Sequence, residues 1–239
     1  MAVRSFVLGL VAASLLVPVA VSAQDEGLIV VTGSRVDRDE YDRYYDDDQS
    51  AIGLTRKADF FVKPIYVSSD SRDAETRKEE LLAMLRATIE RAESDGLRLV
   101  AGNYKLTPVT LARVDELDIT AGRRPDTSRV LVYVRIPVGS GPDSVKDADE
   151  RIERFVKSIP VTGRSYIETG STALAINNPQ QYRGAVVKAI ADESKRYAAM
   201  FGNDYGIEIR GLDSELYFKQ ASETEVFLYI QHSFVIKPK

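Results

Sequence analysis

GLIVVTGSRV, residues 27–36, places four consecutive aliphatic side chains, Leu28 to Val31, between an export-type leader and a run of acids. Buried, the quartet opens a compact domain as its first strand. Exposed, it is a peptide held out for a partner. Hiding apolar surface from water stabilises by about 25 cal/mol per Å², whereas a bare aliphatic quartet invites aggregation, so the strand reading is favoured.

Upstream, MAVRSFVLGLVAASLLVPVAVSAQ has one cation, Arg4, then an apolar run from Phe6 to Val21 broken by Pro18, then V-S-A at 21–23. That order predicts a signal peptide over 1–23, cut near Ala23, and a periplasmic mature protein spanning 24–239. The run falls short of the roughly 20 unbroken apolar residues of a membrane span. Removing Arg4 with the leader takes the formal net charge from -4 to -5. With a pI near 5.3, nucleic acid and anionic membrane surfaces are poor partners, since both require clustered Lys and Arg. The chain has no cysteine, so no disulfide holds an exported fold together and a hydrophobic core must do so.

Downstream, DRDEYDRYYDDDQS, 37–50, carries seven acids and almost no aliphatic residue, which predicts a mobile acidic loop. Its tyrosines, Tyr41, Tyr44 and Tyr45, form with Leu28, Ile29, Val30 and Val31 the candidate interaction segment. KADFFVKPIYVSS, 57–69, reads as a strand that lies at an edge or bulges at Pro64, which lacks an amide hydrogen. Asp73 caps a helix whose stripe is Leu81, Leu82, Leu85, Ile89 and Ala92, closed by Gly96. Residues 97–111 read as a strand with a bulge at Gly102, and 112–127 as a polar connection.

In the second half, 128–138 alternates as a strand. Asp143 or Ser144 caps a helix striped by Val145, Ala148, Ile152, Phe155 and Ile159. Residues 163–177 form a weaker strand, and 179–201 a helix lined by Val186, Ala189, Ile190, Tyr197 and Phe201, ended by Gly202. The chain finishes in two or three antiparallel strands. The class is α+β: antiparallel or mixed sheets with three main helices packed on one face, in one domain over 24–239 whose halves, about 27–111 and 128–239, either share one sheet or build two subdomains.

Chemistry is sparse. With one histidine and no cysteine, a Ser-His-Asp triad must use His232, and no G-x-S-x-G elbow presents a serine. Alternation places His232 on the face of Leu228, Ile230 and Phe234, as a packed residue. Zinc sites of His and Cys are excluded by count. GSGPDS, 139–144, lacks the third glycine and the lysine of phosphate-binding loops and reads as a turn and helix cap. Residues 37–50 lack the glycine and closing Glu of a calcium loop. Asp213, Glu215 and Glu225 are the remaining carboxylates for a hydrolase, and they read as ordinary turn and sheet-surface acids. No catalytic, cofactor-binding or metal residue is assigned.

With those elements placed, the chain resembles the SIMPL-domain family of periplasmic and secreted proteins. LIVVTG, 28–33, matches the family's opening I-x-V-x-G strand, and KADFFVKPIYV its second strand. The Ala- and Glu-rich helix 74–96, NYKLTP at 103–108, RVLVYVRIPV with its helix, and YRGAVVKAIADESKRYAAMFG at 182–202 follow in family order. The acidic stretch 37–50 is longer than the family's usual link. The resemblance implies a non-enzymatic, self-associating envelope protein with a role in envelope maintenance or oxidative-stress tolerance, and brings no catalytic residues or cofactors. IVVTGSR also resembles a segment near the N-terminus of TonB-dependent receptors, which implies the alternative of a TonB-docking accessory presenting 25–36 as an extended peptide.

Overall fold

The alternating run FFVKPIYVSS builds the ten-residue strand β3 (Phe60–Ser69), and SRVLVYVRIP builds β7 (Ser128–Pro137). They pair antiparallel along their full lengths, from Phe60 opposite Pro137 to Ser69 opposite Ser128. In chain order the other elements are β1 (Ile29–Thr32), β2 (Gly53–Lys57), α1 (Ala74–Ser94), β4 (Arg98–Ala101), β5 (Thr107–Pro108) and β6 (Thr120–Ala121). After β7 come α2 (Val145–Lys157), β8 (Ser165–Thr169), β9 (Ala173–Asn177), α3 (Arg183–Met200), β10 (Tyr205–Arg210), β11 (Leu216–Gln220), β12 (Glu225–Ile230) and β13 (Ser233–Pro238). Single 3-10 turns cover Leu111–Glu116 and Pro179–Tyr182. This computed structural model describes residues 29–32, of which only the backbone is considered, 52–102 and 106–239. The leader 1–23, Leu28, and the acidic stretch 37–50 with Tyr41, Tyr44 and Tyr45 lie outside the described residues.

The fold is α+β, and every strand pairing among the described residues is antiparallel. The large sheet runs β1-β9-β3-β7-β4-β5, with β8 added on β3 and β6 on β7. Ile29–Thr32 pair with β9, from Ile29 opposite Asn177 to Thr32 opposite Leu174. Strand β3 of the first half lies between β7 and β8–β9 of the second, so the 27–111 and 128–239 halves share one sheet. The smaller sheets are β11-β12-β2 and the ribbon β10-β13.

Alternation assigns the two faces of the large sheet. Phe61, Ile65 and Val67 of β3 and Val130, Val132, Val134 and Ile136 of β7 point to the helices. There they join Leu81, Leu85 and Ile89 of α1, Ala148, Ile152 and Phe155 of α2, and Val186 and Ile190 of α3 in one core. A second, smaller cluster of Val62, Val100, Leu106 and Ala175 sits on the opposite face.

Pro64 does not lie on an edge strand. β3 is central, and the interruption falls in its neighbour: β9 covers Phe60–Val62, β8 covers Ile65–Ser69, and the chain breaks between them opposite Lys63 and Pro64. Gly170 N–H donates to Pro64 O at 2.9 Å, so Pro64's backbone faces the break, where a missing amide hydrogen leaves no ladder bond unmade. Glycine is needed at 170 because a Cβ there would lie 2.6 Å from Pro64 Cγ. The expected 163–177 strand is therefore two strands.

The helices follow their sequence signals. Asp73 accepts from Thr76 N–H to cap α1, and Ser144 accepts from Asp147 N–H to cap α2. Other expectations are corrected. Residues 97–111 are not one bulged strand: the chain folds back after Gly102, whose φ is +139°, and β5 pairs with β4. The 112–127 connection contains a 3-10 turn and β6. Phe201 is 60% exposed, because α3 buries Ser194 and Ala198 at its end instead. The C-terminal region holds four strands rather than two or three, with β10–β13 enclosing the β11–β12 hairpin.

Candidate functional site

Two constellations of polar groups flank the β3–β7 pair, one on each face. On the helix face, alternation drives Lys63 into the core between Phe61 and Ile65, where its side chain is 3% exposed. An unpaired ammonium there would be prohibitively costly. Helix α2 answers with Asp149 and Glu153, four residues apart on one face and flanking the buried Ile152. Lys63 Nζ donates to Asp149 at 2.9 Å and also to Glu153. Thr169 and Thr172, on either side of the break at Gly170, donate to Glu153 and Asp149 respectively. Burial pushes the Asp149 carboxyl up, but the hydrogen bonds from Thr172 and Lys63 outweigh it and hold the group below its ordinary range. The Lys63 hydrogen bond does the same for Glu153 against its own desolvation. The ammonium is thus satisfied by two anions, an arrangement that clamps α2 to the interrupted strand.

Six residues further along β3 on the same face, Ser69 and, just beyond it, Ser71 both donate to Glu80 of α1, at 2.8 and 2.6 Å, and lower its pKa, Ser71 most strongly. Arg77 reaches Ser71 O at 2.7 Å. These contacts fasten the start of α1 to the end of β3.

The opposite face is built differently. No described helix packs on it, and its arginines rest on rings: Arg129 lies 4.8 Å over Tyr66 and Arg135 lies 4.2 Å over Phe60. Here the sheet also has a notch. Strand β4 pairs with β7 at Tyr133–Arg135 and β6 pairs at Ser128–Arg129, so among the described residues no strand pairs with 130–132 on that side. Thr120 Oγ1 donates to Arg129 O, which fixes the direction of the Arg129 carbonyl toward β6. Backbone direction alternates along a strand, so Leu131 N–H and C=O also face the notch. A cavity of about 580 Å³ opens there, lined by Tyr66, Arg113, Glu116, Asp118, Arg129 and Leu131. That volume suits a small ligand. Arg113 is committed to Glu116 at 2.8 Å. Among the described residues neither Arg129 nor Asp118 makes an ion pair.

The sequence-predicted residues are dispersed. Ile29, Val30 and Val31 form β1, while Leu28, Tyr41, Tyr44 and Tyr45 lie outside the described residues. His232 is not on a strand face: it occupies the turn between β12 and β13, half-buried, with Nδ1 2.8 Å from Ile230 O, and that nitrogen must carry the proton because a carbonyl only accepts. Asp213 and Glu215 precede β11, whereas Glu225 starts β12 at the far end of the hairpin, about 20 Å away at 3.3 Å per residue. They are not brought together. GSGPDS is a turn, with positive φ at Gly139 and Gly141, that ends in the Ser144 cap. Among the described residues no group of three or more acids or histidines is arranged to hold a metal, and no helix is long and apolar enough to cross a membrane.

Sequence reading missed Lys63 and the notch. The first left a signal: a lysine two residues from Phe61 and from Ile65 on a buried face demands a partner. The second left none, since it arises from how β4 and β6 happen to meet β7. Comparison of the chain with family models, with curated proteins and with solved structures yields no match.

Proposed function

We propose that the mature chain is a non-enzymatic periplasmic protein of the SIMPL type that acts by contact, self-associating or engaging an envelope protein, with a role in envelope maintenance or oxidative-stress tolerance. The observation that carries the reading is the position of β1. Its four residues pair with β9 on one side, and among the described residues no strand is hydrogen-bonded to the other, although β11 comes close to β1, so β1 ends the sheet. Addition of a strand from a second copy or a partner would extend the sheet there. The closed state of Lys63 also supports a structural rather than catalytic use of the most deeply buried cation in the sheet.

Light scattering across a concentration series tests the proposal. Mass should rise with concentration for the mature protein, and removal of 25–32 should reduce both association and thermal stability. A strict monomer at high concentration would remove the assembly reading. Unchanged stability after the deletion would instead favour the TonB-docking alternative, in which 25–36 is a free extended peptide.

A further inference from the structure

We infer that the notch beside β7 binds short free peptides, two or three residues long, by their backbone and both termini. The recess between the last β6 pair at Arg129 and the first β4 pair at Tyr133 spans four residue steps, about 13 Å at strand rise. That is a di- or tripeptide in extended form, and the 580 Å³ cavity holds one with room for small side chains.

Leu131 N–H and C=O face the recess as a donor and an acceptor in strand geometry, the pair that an extended peptide amide completes. Two charged groups remain uncommitted at its wall, Arg129 and Asp118. Asp118, two residues before Thr120 and outside β6, lines the same recess as Arg129 and Leu131. One cation and one anion on that wall match the carboxylate and ammonium of a zwitterionic peptide. Arg129, with Cζ 4.8 Å over the Tyr66 ring, keeps guanidinium N–H groups to donate to a carboxylate. A long polypeptide would use the Leu131 amide groups but leave both charges without partners. This site is separate from the β1 edge, so it stands or falls independently of self-association.

The test is titration of the ¹⁵N-labelled mature protein with trialanine, followed in amide spectra. The Leu131 signal should shift and saturate, and N-acetyl-trialanine amide should bind at least about tenfold more weakly, the loss expected when charge-assisted hydrogen bonds are removed. Arg129→Gln should weaken trialanine similarly while leaving trialanine amide unaffected, and Asp118→Asn should do the same for the free N-terminus against its acetylated form. If either variant fails to fold, the comparison of free and blocked peptides on the unaltered protein decides. A Leu131 signal unmoved at tens of millimolar trialanine overturns the inference. So does equal binding of the doubly blocked peptide, which would make the notch an acceptor for internal polypeptide segments.

Discussion

On one face of the β3–β7 pair the buried cation Lys63 meets two carboxylates that two threonine hydroxyls also bond; on the other, Arg129 meets a tyrosine ring and, among the described residues, no acid. The same two strands carry both. The difference lies in what covers each face. The helices bury the Lys63 ammonium on the first, so that charge requires partners before the fold is viable. The second has no described helix over it, so a cation tolerates an unpaired state and stays available. Complete pairing marks a fastening; an unpaired charge beside an open backbone pair marks a place for a ligand.

The largest effect should come from unpairing the fastened face. Asp149→Asn with Glu153→Gln strands the Lys63 ammonium, and urea denaturation should show a loss of about 3 kcal/mol. Lys63→Met should cost within about 1 kcal/mol, because the two carboxylates are 40% and 32% exposed and keep their threonine donors. Equal costs for the two changes would break the comparison.

Next is Gly170→Ala. The new methyl would press on the rigid Pro64 ring, and a loss of about 1–3 kcal/mol is expected in the same assay. Acid provides a graded version of the first test. Both carboxyls have folded pKa values below their ordinary ones, so their stabilisation is complete above about pH 5 and disappears as pH falls through the lower folded values. The stability gap between the unaltered protein and the double amide variant should therefore be wide at pH 7 and narrow below pH 4; a gap independent of pH would contradict the ion triad. Smallest should be Arg129→Gln, which removes one ring contact and should change stability by under about 1 kcal/mol.

Much of this fold is legible in the chain. The three helices follow from apolar stripes and from Asp73, Ser144, Gly96 and Gly202, because caps and periodicity are local facts. Strands β3 and β7 follow from length and alternation. The interrupted strand is harder: SYIETGSTALAIN reads as one weak strand, and only the contact of Gly170 with Pro64, more than a hundred residues earlier, explains the break. Phe201 shows a periodic pattern continued one turn beyond the surface that buries it. The candidate notch is the least legible part, since register between β7 and two short distant strands creates it and no single residue announces it.

Hydrogen exchange at three successive amides tests the contrast most directly. Val130 and Val132 point their amides at β3, while that of Leu131 points into the notch. In the unliganded protein Leu131 should exchange on the order of a hundredfold or more faster than both neighbours. Protection of Leu131 equal to theirs would mean that the row is already occupied and that the second face is as closed as the first.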